Sequence, residues 1–135
     1  MKIVEKEGKT YVFDIIRKKY LVFTPEEKVR QQIIEWMIAD LQYPKSNISV
    51  EKSISINNRV KRYDIVVYKN ALPWMLVECK AESVKIKQET FDQIGAYNIQ
   101  LKVPYLLVSN GSNNYILEID FEQRKYSYLK EMPGY

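Results

Sequence analysis

The chain has 135 residues, 46% hydrophobic and 28% charged, which suits one domain large enough to bury a core. No apolar run approaches the roughly 20 residues of a membrane span, and a net charge of +4 fits either a polyanionic partner or an ordinary basic surface. The chain has no histidine and a single cysteine, Cys79. This excludes Ser-His-Asp and Cys-His catalysis, the usual zinc sites, a His general base and an internal disulfide framework.

The N-terminus, Met1 to Lys9, is charged and argues against a signal peptide. With one cysteine, the expected setting is cytoplasmic, with no membrane partner. Val12 to Asp14 and Tyr20 to Phe23 read as two short strands joined through Arg17-Lys18-Lys19, a peripheral hairpin within residues 1–23. Thr24-Pro25-Glu26-Glu27 starts a helix, with Thr24 as N-cap, Pro25 as the first helical residue and Glu27 completing a capping box. Val29, Ile33, Trp36, Met37 and Leu41 make its apolar stripe, and Tyr43-Pro44 ends it.

Residues Ile48 to Ile56 alternate apolar and polar as a strand, Asn57-Asn58 signals a turn, and a second strand follows to about Tyr68. Trp74 to Lys80 is a third, strongly apolar strand. Lys87 to about Leu101 reads as a helix, Pro104 to Ser109 as a fourth central strand and Tyr115 to Asp120 as a fifth, with Tyr126 to Leu129 as an edge. The order predicts one α/β domain over residues 1–135, with its core at about 24–120. The third and fourth central strands are joined by a crossover helix in a mixed central β-sheet flanked by helices.

Without histidine, any catalysis rests on carboxylates, Lys, Tyr and Gln, and any metal should be a hard, oxygen-loving ion such as Mg²⁺. Asp64 interrupts the second apolar strand, and Glu78 and Lys80 flank Cys79 at the end of the third. Strand alternation sends Glu78 and Lys80 to one side and Cys79 to the other, where it packs as a small residue. The separation of Asp64 from Glu78 suits a hairpin that sets them side by side. Two such carboxylates make a hard-metal site, and a lysine one step along can orient a water or stabilise charge on a phosphate. A buried ion pair with no catalytic role is the competing reading of the same residues.

Asp64 followed by Glu78-Cys79-Lys80 resembles the D-(x)n-E-x-K signature of the PD-(D/E)XK nuclease superfamily. More of the chain is similar to the N-terminal domain of type I restriction enzyme R (HsdR) subunits. The similarity runs through Phe13-Asp14, Arg17-Lys18-Lys19-Tyr20, Thr24 to Gln31, Tyr43-Pro44, Val50-Glu51-Lys52 and Lys61 to Tyr68. It continues through Val77 to Ala81, Gln88 to Gln93, Tyr97-Asn98, Val103-Pro104-Tyr105 and Asn110-Gly111. The resemblance implies a restriction-endonuclease-like fold and Mg²⁺- or Mn²⁺-dependent DNA cleavage. Asp64, Glu78 and the backbone carbonyl of Cys79 would hold the metal, and Lys80 would position the water. DNA is the implied partner; other restriction-modification subunits or a second copy of the chain are the further expected ones.

Gln93 and Tyr97 share one helix face and match the Q-xxx-Y element of such families. They either support the site and the DNA backbone or pack locally. Glu26 falls in the middle of the first helix's apolar stripe and Glu27 nearer its edge, so Glu26 is the better candidate to face inward and assist the metal. Alternatively both glutamates simply favour the helix N-terminus through its dipole. Arg30 and Gln31, one turn on, can pair with these acids. Arg30, Lys61, Arg62 and Lys85 are the candidate phosphate contacts. The chain contains no G-x-x-x-x-G-K-[ST] phosphate loop, so it has no ATP site and no motor of its own. The expected function is a nuclease domain, with a catalytically silent DNA- or partner-binding domain of the same fold as the alternative.

Overall fold

The computed structural model describes residues 1–56 and 58–135, and the side chains of all of these except 56, 93, 96, 97, 99 and 100. Two sheets form. The first is three-stranded and antiparallel, ordered β1-β2-β3, from Ile3–Lys6, Lys9–Asp14 and Lys19–Val22. The expected hairpin is β2 and β3. The strand missed by the sequence reading, β1, is exposed at every residue, so no apolar alternation marks it. It is joined to β2 by Glu7-Gly8, both at positive φ, the backbone of a tight two-residue hairpin turn.

The second sheet has six strands in chain order: β4 (Ile48–Ile56), β5 (Arg59–Lys69), β6 (Leu72–Cys79), β7 (Tyr105–Ser109), β8 (Asn114–Asp120) and β9 (Lys125–Leu129). All neighbours are antiparallel except β6 and β7, which run parallel across the crossover helix α2 (Gln88–Leu101). The mixed sheet and its crossover are those expected from the order of periodicities. Asn57 of the expected Asn57-Asn58 turn lies outside the described residues; Asn58 takes a left-handed φ of 63°.

Helix α1 (Pro25–Glu35) starts where the capping signals placed it, with the Glu27 N–H donating to Thr24 Oγ1 at 3.0 Å. It passes into one π-helical turn over Trp36–Asp40, closed by the Leu41 N–H on the Trp36 carbonyl at 3.0 Å. Alternation along the strands divides the core in two. Val29, Ile33, Ile34 and Met37 of α1 pack with Ile65, Val67, Met75, Val77, Cys79 and Leu107. Phe91 and Ile94 of α2 pack with Tyr63, Val66, Leu76, Leu106, Val108 and Leu117. Trp74, buried against Tyr43, Tyr105 and Tyr135, is core. No helix among the described residues is long and apolar enough to cross a membrane.

Candidate active site

The last paired residues of β5 and β6 at this end of the sheet are Ile65 and Val77. Asp64 and Glu78 stand one step beyond them, on neighbouring strands. There a side chain takes over from the ladder: the Cys79 N–H donates to Asp64 Oδ2 at 2.7 Å. Asp64 Oδ1 accepts from Arg30 Nη2 of α1 at 2.9 Å. On the other side of β5, Val50 pairs with Ile65 and Lys52 with Tyr63, and Glu51 between them is turned out at a left-handed φ of 54°. Such a backbone is strained for a residue with a side chain. The kink gives the Glu51 carboxylate Arg17, Arg30 and Arg62 as neighbours at 3.4, 3.6 and 3.5 Å.

Glu78 is held differently. Its carboxylate is 2.9 Å from the Lys61 ammonium, which also lies over the Tyr63 ring at 4.9 Å. Its Oε1 is buried and receives no well-directed hydrogen bond, so Lys61 compensates its charge without satisfying its lone pairs. Asp64 and Glu78 therefore share one end of the sheet but lean on different cations. Lys80 continues β6 with its N–H on the Ser109 carbonyl at 2.8 Å. It is half-buried, and no ion pair to its ammonium forms among the described residues.

The first-helix glutamates reverse the expected orientation. Glu27 is buried, at 6% exposure, and Glu26 is exposed at the rim of the cleft. The capping box is only half made. The Thr24 hydroxyl caps the helix, while the Glu27 carboxylate receives Arg17 Nη2 at 3.0 Å, Arg30 Nη1 at 2.8 Å and Gln31 Nε2 at 3.2 Å. The buried arc of α1 comprises Glu27, Val29, Arg30, Gln31, Ile33 and Ile34, wider than its apolar stripe. Apolar periodicity detects only half of that arc. The other half faces polar groups and is itself polar.

Those groups come from the β2–β3 turn. Asp14 is fully buried and accepts from the Ile16 and Arg17 N–H groups at 2.7 and 2.9 Å, Arg17 Nε at 2.6 Å and Gln31 Nε2 at 3.0 Å. Burial alone would raise its carboxyl, but the hydrogen bonds and charge of Arg17 and the Ile16 N–H outweigh it and hold the group below the usual carboxylate range. Arg17 then reaches Glu27, and Glu27 reaches Arg30, which bonds Asp64. A chain of ion pairs thus runs from the small sheet to the candidate site. Asp14, Arg17 and Glu51 did not stand out as site residues in the sequence. The available signal was a lone acid inside the apolar run Val12 to Ile16.

Arg30 is buried at 7% exposure and spent on Glu27 and Asp64, so its charge is not displayed to a phosphate. Burial disfavours its charged form, but the Asp64 hydrogen bond and the charges of Glu27 and Asp64 prevail and raise its pKa. Lys61 is engaged with Glu78, whereas Arg62 and Lys85 are exposed. A cleft of about 480 Å³ opens over the network, lined by Arg17, Glu26, Glu27, Arg30, Arg62 and Asp64 among others. Burial and the Asp64 charge push the Cys79 thiol well up, which suits an inert packing residue. The side chains of Gln93 and Tyr97 lie outside the described residues.

Among the described residues, no group of three or more Asp, Glu or Cys side chains converges as a metal cage. The donor chemistry for a hard ion is nonetheless present at two residues. Each Asp64 oxygen accepts one hydrogen bond and keeps a second lone pair, and Glu78 Oε1 is buried without a directed donor.

None of the curated proteins compared matches the chain. A family model does: type I restriction enzyme R protein N terminus (HSDR_N), over residues 25–133. The matched span contains Glu26, Asp64, Glu78, Lys80, Gln93 and Tyr97, while Asp14 and Arg17 precede it. The chain belongs to the family of the type I restriction enzyme R protein N terminus.

Proposed function

We propose that this chain is a metal-dependent endonuclease domain of the PD-(D/E)XK type, with a restriction-endonuclease-like fold, hydrolysing phosphodiester bonds of DNA. The observation that supports the reading is the parting of β5 and β6, beyond which Asp64 and Glu78 stand on neighbouring strands at one end of the sheet, with Lys80 two residues further along the chain. Asp64, Glu78 and the Cys79 carbonyl are the groups that would hold Mg²⁺ or Mn²⁺. Such an ion supplies Lewis acidity toward a phosphoryl oxygen and makes water a better nucleophile.

The other steps belong to the chain. Lys80, two residues beyond Glu78, is half-buried, and its ammonium makes no ion pair among the described residues. There it can orient the attacking water and stabilise charge growing on the phosphate. Glu26, exposed at the rim of the cleft, would assist the metal, directly or through water. Gln93 and Tyr97 are the pair assigned to supporting the site or the DNA backbone. Arg62 and Lys85 offer exposed positive charge to the backbone, which gives affinity without sequence preference. Other restriction-modification subunits are expected partners on the strength of the family.

Plasmid cleavage with and without Mg²⁺ or Mn²⁺ tests this, with wild type beside Lys80→Ala and Asp64→Ala. Wild type should nick or cut only with metal, and each variant should lose about a hundredfold or more, as for removal of an acid-base or charge-stabilising group. Equal cleavage by all three refutes the mechanism. One observation favours a second reading, a catalytically silent domain of the same fold that binds DNA or a partner subunit: both Asp64 oxygens already accept a hydrogen bond from the protein, one of them from the Arg30 guanidinium. Metal-independent DNA binding with no cleavage by any protein is the result that supports it.

A further inference from the structure

Asp64 already has a cation. Arg30 is nine-tenths buried and fastens Asp64 at 2.9 Å and Glu27 at 2.8 Å. The fit is incomplete, because Arg30 Nε is buried and has no hydrogen-bond partner. A second seat lies close by. Glu51 Oε1 is 3.6 Å from Arg30 Nη1, on a partly exposed carboxylate carried by a strained, left-handed backbone.

From this geometry we infer that Arg30 is an internal counter-cation that a divalent metal must displace from Asp64, swinging toward Glu51 as the metal enters. The inference rests on the reading of Asp64 as a metal-binding carboxylate. A guanidinium and a divalent ion on one carboxylate repel each other in a partly desolvated pocket. A displaced arginine left unpaired there would be costly, and Glu27 together with Glu51 removes that cost. Glu27 stays in place throughout because both of its oxygens are held by Arg17 Nη2. Arg30 is thus a positioning residue that sets the affinity of the site for metal. The metal-free state, with Arg30 on Asp64, and the metal-bound state are two arrangements of one set of side chains.

The test is titration calorimetry with Mn²⁺ alone, without DNA, on the full chain. Arg30→Gln should bind Mn²⁺ at least tenfold more tightly than wild type, and Asp64→Asn should bind far more weakly in both backgrounds. Arg30→Lys, whose single ammonium cannot span Glu27 and Asp64 together, should fall between wild type and Arg30→Gln. Glu51→Gln alters a partly exposed side chain and should weaken Mn²⁺ binding several-fold in wild type but much less in the Arg30→Gln background. Affinity that is unchanged or lowered by Arg30→Gln or Arg30→Lys overturns the inference, as does a Glu51→Gln effect of equal size in both backgrounds. If Asp64→Asn binds Mn²⁺ as wild type does, the metal reading itself fails. If Asp64→Asn abolishes binding but neither Arg30 variant tightens it, only the role of Arg30 fails.

Discussion

Asp14→Asn is the sharpest probe of the ion-pair chain beneath the cleft. The substitution keeps the size of the side chain, and Oδ1 can still accept from the Ile16 and Arg17 N–H groups. The other half of the group changes sign: an amide nitrogen would face Arg17 Nε and Gln31 Nε2, two donors, at a fully buried position. Breaking a buried pair costs about 3–5 kcal/mol when the remaining charge is stranded. Arg17 retains Glu27 and Glu51, so the low end applies, about 3 kcal/mol. For a domain of this size that lowers Tm by about 10 °C.

The pH dependence has a definite sign. Because the folded-state pKa of Asp14 is depressed, its contribution is fully present above the ordinary carboxylate range and is lost as pH falls through the folded value. Urea denaturation of wild type and Asp14→Asn should therefore differ most near neutral pH. The two should converge at acid pH, as the pH falls through the depressed folded value and the wild-type carboxyl is protonated as well. A difference under about 0.5 kcal/mol at neutral pH, or one that is the same at both pH values, refutes the account of Asp14 as a charged, buried anchor.

Thr24→Ala removes the hydroxyl that accepts the Glu27 N–H at 3.0 Å and should cost about 1 kcal/mol, with Thr24→Ser restoring most of it in the same denaturation assay. The buried, high-pKa Cys79 thiol should resist Ellman's reagent in the native protein near pH 8 and react at once in urea; rapid native labelling would contradict its packing. The Tyr135 hydroxyl donates to the Tyr68 carbonyl at 2.8 Å while its ring packs on Tyr43 and Trp74. Tyr135→Phe should thus cost about 1 kcal/mol and Tyr135→Ala about 3 kcal/mol by urea denaturation, and equal losses would show that the ring contacts contribute little.

The strands and helices of the larger sheet were legible because each carries a burial pattern of its own. Residues Ile48 to Ile56 alternate, Trp74 to Val77 run apolar between two covered faces, and Thr24-Pro25 announces a helix start. Strand β1 was silent for the opposite reason, since no face of it is buried. At the candidate site, the acids and the lysine were found because charge within an apolar strand is conspicuous in sequence. The choice between Glu26 and Glu27 failed because the buried arc of α1 is half polar, and apolar periodicity points only to the other half.

The residues alone determined the order of strands and helices in the larger sheet, the crossover between β6 and β7, the chemistry left open by the absence of histidine, and the resemblance that the family match supports. All of these depend on patterns local in the chain or on residue type. The tertiary structure decided who neutralises whom: Arg17 takes Asp14 and Glu27, Arg30 takes Glu27 and Asp64, and Lys61 takes Glu78. Arg30 and Asp64 are 34 positions apart in sequence. A charge selects its partner only once folding has removed water from both, and with 21 basic and 17 acidic side chains available, spacing cannot name the pair in advance.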